Sequence, residues 1–316
     1  MRERALIERL LAPLASHPAA RGLASDTAVL SPPLGRDLVF THDVLAAGIH
    51  YLPSDPPSDI AWKLLAVNLS DLAATGARPV GVLMGLGLSA AEDAAWLTGF
   101  TDGLGRVLAR WDVPLLGGDT VSGLDKAVLG LTAIGQVEPG AALSRIGAAV
   151  GDDLWVTGTI GDAGLGLAIA RGEAEPDKAL LARYRRPEPR LAFGQGLGGV
   201  ASAAMDVSDG LLIDADRLAR ANGVALRVKL ADLPLSDAAR ARTAGSNEAL
   251  LERATAGDDY ELLFTAPPSA ARVLAALAER TKLRLTKVGR AVEGDGVSVI
   301  GLGGAMLEPE RLGYEH

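Results

Sequence analysis

Six aspartates, Asp26, Asp43, Asp71, Asp119, Asp206 and Asp209, sit where an apolar stretch opens onto a glycine or a turn. Their local strings are S-D-T-A (25–28), T-H-D (41–43), N-L-S-D-L-A (68–73), L-G-G-D-T (116–120) and D-V-S-D-G-L (206–211). A carboxylate at the mouth of a core-forming segment is costly to desolvate unless a cation meets it. Six of them, spread over two thirds of the chain, point to a fold that gathers these ends around several hard metal ions. Hard ions held by carboxylates usually serve phosphate chemistry.

The rest of the composition narrows the options. The 316 residues suit two domains better than one, and 48% are hydrophobic while only 4% are aromatic. Ala, Leu, Gly and Val therefore build the core, which favours α/β architecture. A net charge of −8 offers nothing to nucleic acid or to an anionic membrane. An acidic protein that binds phosphates must recruit them through metal ions. The chain has no cysteine, so disulfides, thiolate nucleophiles and metal–thiolate sites are excluded. The N-terminal M-R-E-R-A-L-I-E-R-L mixes acids with bases and is not read as a signal peptide. No apolar run reaches membrane-spanning length. A soluble, cytoplasmic protein is expected.

Hydrophobic periodicity and punctuation predict the elements. The first half reads as a strand over 36–43 ending at Asp43, then a helix over 59–75 with Ser58 as N-cap and Gly76 as its stop. A glycine-interrupted strand (79–88) and an amphipathic helix (90–110, with Trp96, Phe100, Leu104 and Leu108 on one stripe) follow. Strands over 113–117 and 126–137 complete this half. The Gly/Pro-bearing stretch 138–153 marks a boundary, giving domains 1–146 and 147–316. Beyond it, D-L-W-V-T-G-T-I-G-D-A-G-L-G reads as strand, glycine turn and helix. Further strands are expected at 203–207, 260–265, 284–290 and 296–301, with helices at 210–222, closed by Gly223, and near 268–280.

Asp71 stands out because it shares a helix face with Ile60, Leu64 and Val67. It also lies in the last turns, where the helix dipole repels anions. A metal ligand there supplies the missing positive charge; an Asp paired with an Arg at a groove edge is the other reading. Gly117 and Gly118 before Asp119 allow the close backbone approach that phosphate-cradling turns need. Ser208 or Asp209 is expected to cap the following helix, which leaves Asp206 unexplained by capping. A helix N-terminus flanked by hydroxyl and carboxylate groups is also an anion or Mg²⁺ site. G-D-D-Y-E-L-L-F (257–264) reads as a solvated turn or a substrate contact. Gly194, Gly196 and Gly199 fit G-x-G-x-x-G, but they follow a helical R-L-A-F and read as a helix-ending loop. No P-loop string occurs. Among the four histidines, His50 in G-I-H-Y lies nearest the acidic strings.

Taken in order, these strings resemble the thiamine-monophosphate kinases of the aminoimidazole-ribonucleotide-synthetase-like family of ATP-binding enzymes. The resemblance runs over nearly the whole chain. It rests on S-D-T-A-V-L, T-H-D-V-L-A-A-G-I-H-Y-L, W-K-L-L-A-V-N-L-S-D-L-A-A-T-G-A-R-P, L-L-G-G-D-T, L-S-R-I-G-A-A-V-G-D, R-R-P-E-P-R-L, D-V-S-D-G-L-L-I-D, G-D-D-Y-E-L-L-F-T and the terminal G-Y-E-H. It implies a two-domain α/β (α+β) fold: an N-terminal ATP- and metal-binding domain whose mixed sheet forms a barrel-like homodimer interface, and a C-terminal α+β domain. It implies metal ligands at Asp26, Thr41, Asp43, Asp71, Asp119, Asp206 and Asp209, with His42 in question among them. Asp71, Asp119 and Asp209 would carry the catalysis. Gly118, Asp119, Arg145 and Ser208 would meet ATP, and His50, Asp258 and Tyr314 would meet thiamine monophosphate. The implied reaction is in-line phosphoryl transfer from ATP to thiamine monophosphate with several Mg²⁺ ions.

Three positions depart from the family pattern. Ser25 precedes Asp26 where a second acid is usual, His42 replaces a small hydroxyl residue, and Asp258 stands where Glu is common. Ser25 and His42 keep open a nucleotide-binding module without turnover. A sibling ATP-dependent synthetase acting on a purine precursor is the other alternative.

Overall fold

The computed structural model describes residues 3–315, which divide into two units. The first runs through Leu72 and resumes over Arg78–Gly140; the second takes Ala73–Ala77 and the chain from Ala141 onward. No helix among the described residues is long and apolar enough to cross a membrane.

The first unit opens with α1 (Glu3–Leu6), which runs on as a π-helical turn (Ile7–Leu11) and short 3-10 turns to Leu23. Then come β1 (Asp37–Ala46), α2 (Pro57–Ala74), β2 (Arg78–Ser89), α3 (Ala94–Trp111), β3 (Leu115–Leu124) and β4 (Val128–Val137). The sheet order is β1-β4-β2-β3, with β2 and β3 parallel and the other pairs antiparallel. α3 matches its expected stripe: Phe100, Leu104 and Leu108 are buried, and Trp96 stacks on Phe100 at 5.0 Å.

Two strands run past the aspartates expected to end or follow them. β1 continues beyond Asp43 to Ala46, because alternation puts the Asp43 side chain on the α2 face with Thr41 and so does not interrupt the ladder. β3 continues through Gly117, Gly118 and Asp119, since β2 supplies its backbone partners after a register slip between Val82 and Leu83. A side chain at Gly118 is impossible there: its Cβ would lie 1.9 Å from the Met84 carbonyl oxygen. α2 also departs from a single buried stripe. Ile60, Leu64 and Val67 are buried, but so are Ala61, Leu65, Leu69 and Leu72. It begins at Pro57, whose fixed φ suits the first helical turn, so Ser58 lies inside the helix and is not its cap.

The four-stranded sheet is open, and no closed barrel occurs among the described residues. Its face away from Thr41 and Asp43 presents Phe40 (62% exposed), Val44, Leu83, Val121 and Val128.

The second unit comprises β5 (Asp153–Thr157), α4 (Asp162–Ala170), α5 (Lys178–Arg185), α6 (Leu191–Gly194), β6 (Ala203–Asp206), α7 (Leu211–Asn222) and β7 (Ala225–Lys229). It continues with α8 (Asp237–Arg242), α9 (Asn247–Ala254), β8 (Leu262–Ala266), α10 (Ala271–Thr281), β9 (Leu285–Val292), β10 (Gly296–Ile300) and β11 (Met306–Leu307). Its seven-stranded mixed sheet has the order β11-β10-β7-β9-β5-β8-β6, with β7 and β10 its parallel pair. β8 is buried throughout: Leu263 enters one apolar cluster with Leu212 and Val228, while Leu262 and Phe264 enter another with Phe193 and Leu274. A strand covered on both faces reads as an unbroken apolar run, which is why L-L-F-T-A shows no alternation.

Candidate active site

In the first unit the site begins with a contact across β1 and α2. The Thr41 hydroxyl donates a short hydrogen bond to Asp71 Oδ2. One turn earlier on α2, buried Asn68 accepts from the Asp43 amide at 3.0 Å and donates back to the Leu64 carbonyl at 2.9 Å. Asn68 thus fixes the β1 backbone over the helix, and Thr41, Asp43 and Asp71 share one side of the sheet. Desolvation, with the Asp71 charge added, pushes the Asp43 carboxyl up to about 7. Such a cost is removed when a cation binds, and the donors available are all oxygens, as Mg²⁺ requires. His42 lies on the opposite face of β1: its Nδ1 meets Thr132 Oγ1 at 2.9 Å and its ring covers Gly130.

Asp119 is exposed on β3, its Oδ1 accepting from the Thr120 amide at 2.9 Å. Asp26 is exposed in the loop before β1. His50 follows β1, with Nδ1 accepting from the Ala46 amide at 3.0 Å while its carbonyl accepts from buried Lys63 at 2.9 Å. Among the described residues no three His, Asp or Glu side chains converge in a metal-holding arrangement. Thr41 and Asp71 are joined directly by their side-chain hydrogen bond.

In the second unit three separate strings meet. The Asp258 amide donates to the Ser208 carbonyl (2.7 Å), the Tyr260 amide to the Val207 carbonyl (2.8 Å) and the Tyr314 amide to the Asp209 carbonyl (2.9 Å). D-V-S-D-G, G-D-D-Y-E and the terminal G-Y-E therefore form one backbone knot. Gly257 allows the approach, since a Cβ there would sit 2.7 Å from the Ser208 carbonyl oxygen. Asp258 (φ 70°) and Tyr260 (φ 49°) both adopt left-handed backbone, at a cost of about 1 kcal/mol or more each.

That strain is held by buried charge on either side. Between the two, Asp259 is 1% exposed and caps the entry to α4, accepting from the Gly161 amide at 2.7 Å and the Ala163 amide at 3.2 Å. Burial nonetheless raises its carboxyl to about 8. Glu261 is fully buried; burial alone would raise its carboxyl, but Arg190 and Arg183 outweigh that and hold it below the usual range. Arg190 Nε and Arg183 Nη2 each donate to it at 2.7 Å, and the Thr157 hydroxyl at 2.8 Å.

The start of α7 differs from the capping expectation. Its N-cap is Gly210, which carries no side-chain cap. Fully buried Asp214 reaches back from the first turn, and its Oδ2 accepts from the amides of Ser208 and Asp209, both at 3.1 Å. Those two amides are thus not available to an anion, and Ser208 can offer a ligand its hydroxyl. Arg217 Nη1 spans Asp209 Oδ2 (2.5 Å) and Asp214 Oδ1 (2.8 Å). Burial still leaves the Asp214 carboxyl raised, at about 6. Asp206 is buried at the end of β6, and Tyr314 is half exposed.

Sequence reasoning passed over Asn68, Arg183, Arg190, Asp214, Arg217, Asp259 and Glu261. Asp259 and Glu261 sat inside a string already singled out, and Arg190 ends R-R-P-E-P-R. The signal available was an excess of charge in segments bounded by apolar runs.

Two family models match the chain in turn: residues 24–137 match the AIR synthase related protein N-terminal domain, and 149–301 the C-terminal domain. Thiamine-monophosphate kinase from Caulobacter vibrioides is 41% identical over 315 residues, covering 98% of this chain and 89% of that relative. The chain belongs to the thiamine-monophosphate kinase family. The solved family structure from Stenotrophomonas maltophilia K279a superposes with a TM-score of 0.83 at 40% identity, covering 95% of this chain and 96% of that one. The AaThiL complex with AMPPCP and TMP gives 0.77 at 31% identity, covering 100% and 99%. Family membership makes the chain an enzyme of the kinase class.

Proposed function

We propose that the protein transfers the γ-phosphoryl group of ATP to thiamine monophosphate, forming thiamine diphosphate and ADP. The observation that carries this reading is the backbone knot of D-V-S-D-G, G-D-D-Y-E and G-Y-E, in a chain whose relatives include a complex with an ATP analogue and TMP. The acceptor is a phosphate monoester oxygen, largely ionised near neutral pH because its second pKa is about 6. No strong general base is needed, and no phosphoenzyme is invoked. The barrier is bringing two anionic groups together beside several carboxylates.

Thr41, Asp43 and Asp71, on one face of the first unit's sheet, are residues that would hold Mg²⁺, and Asp26, Asp119, Asp206 and Asp209 are each further candidate Mg²⁺ ligands. When bound, Mg²⁺ supplies charge neutralisation and alignment for in-line transfer. Gly118 admits the nucleotide close to the β3 backbone, Arg145 adds a fixed positive charge at its phosphates, and the Ser208 hydroxyl adds a donor. His50, Asp258 and Tyr314 orient thiamine monophosphate, with the strained peptides at 258 and 260 fixing the direction of the Asp258 carboxylate. His42 acts through its backbone alone, because its ring is committed to Thr132. The exposed apolar face of the four-stranded sheet pairs with a second copy, a barrel-like homodimer interface.

ADP release measured with and without thiamine monophosphate tests this reading. Release that depends on thiamine monophosphate supports it. Binding of both ligands without ADP release favours a binding module, and release driven instead by a purine precursor favours a sibling synthetase.

A further inference from the structure

Asn222, the last residue of α7, makes four hydrogen bonds with one carboxamide. Its Oδ1 accepts from the Gly147 amide (2.6 Å) and the Ala148 amide (3.0 Å), and its Nδ2 donates to the carbonyls of Arg145 (2.7 Å) and Leu218 (2.7 Å). That is the full capacity of an amide side chain, and the partners fix which end is oxygen. The same loop is stitched to β6 from its other side. The Ala204 amide donates to the Ser144 carbonyl at 2.8 Å. Gly147, at φ +135°, packs so tightly that a Cβ would lie 2.1 Å from the Ser202 carbonyl oxygen. The main chain over 144–148 is therefore clamped between α7 and β6.

The side chain carried by that clamp is exposed. Among the described residues the Arg145 guanidinium has no hydrogen bond or ion pair. A fixed backbone bearing an unpaired cation is a receptor whose main-chain ordering cost is met before the anion arrives, leaving only that of the side chain. The helix that clamps it at Asn222 has the Ser208–Asp209 turn at its other end, so one rigid element sets both.

We propose that Asn222 is a positioning residue for nucleotide binding: it fixes the Arg145 main chain so that the guanidinium meets the phosphates of ATP. This rests on the reading of Arg145 as a nucleotide contact. The test is a double-mutant cycle of Arg145→Ala and Asn222→Ala, with KM for each substrate, kcat, and amide exchange at Gly147 and Ala148. Asn222→Ala is expected to raise KM for ATP about tenfold, leave KM for thiamine monophosphate within about twofold, and speed exchange at both amides. In the Arg145→Ala background the same change should add less than about twofold. Asn222→Asp keeps the size and the acceptor but faces two carbonyls without a donor; it gives the same pattern and serves if the alanine variant does not fold. If Arg145→Ala leaves KM for ATP unchanged, the nucleotide reading of Arg145 is wrong and the proposal goes with it. If Arg145→Ala raises it but the Asn222 variants do not, or act equally in both backgrounds, the positioning role alone is overturned.

Discussion

Asp43 is placed by the strand ladder and by Asn68, yet burial and Asp71 make its charge costly, so its carboxyl sits near 7 without metal. A carboxyl raised in the fold favours folding most below its unfolded pKa of about 4, and that contribution is lost as pH rises to the folded value. The stability gained by Asp43→Asn over the metal-free wild type should therefore grow between about pH 4 and pH 7 and level off above. Saturating Mg²⁺ should shrink the difference, and calorimetry across this range checks both. A pH-independent difference, unchanged by Mg²⁺, would count against a cation site here. Asp71→Asn and Asp119→Asn should each lower kcat by about two orders of magnitude or more, while Asp125→Asn, on an exposed turn, changes it little. Equal activity in the three would remove the aspartates from the mechanism. Asp71 and Asp119 draw attention in the sequence because a carboxylate next to core residues or paired glycines needs a reason. Asp214 and Arg217 were not, because their role is to meet amides and a carboxylate that only the turn at 208–210 brings within reach.

The segment 257–261 stores strain at two peptides and anchors it with Asp259 and Glu261. Asp258→Gly should stabilise the fold by up to about 1 kcal/mol by relieving the left-handed φ, while raising KM for thiamine monophosphate. Thermal unfolding and steady-state kinetics on one preparation check the trade; a loss of both stability and affinity would contradict it. Some elements were readable: α3 followed its stripe, and the strand expected over 260–265 is β8. Boundaries failed where tertiary partners overrode local cues. β3 outran V-P-L-L-G because β2 offers a parallel partner through the glycines, and β7, only five residues between Gly223 and a 3-10 turn, gave no period to detect.

At the scale of the molecule, the open sheet exposes Phe40, Val44, Leu83, Val121 and Val128 on one face, apolar surface that a single copy leaves in water. Light scattering at micromolar concentration should give twice the 32.5 kDa chain mass, and Phe40→Asp should halve it. A wild-type mass equal to one chain would rule out this interface. The two-domain fold was legible from chain length and the ordered strings; the transfer of Ala73–Ala77 to the second unit was not, because it lies inside a continuous helix and its closing turn. The decisive measurement is the reaction itself, followed by phosphorus NMR with ATP and thiamine monophosphate. With Mg²⁺ present, the signals of thiamine diphosphate and ADP should grow together in equal amounts, and excess chelator should stop both. Thiamine diphosphate forming at an undiminished rate under chelator would contradict it.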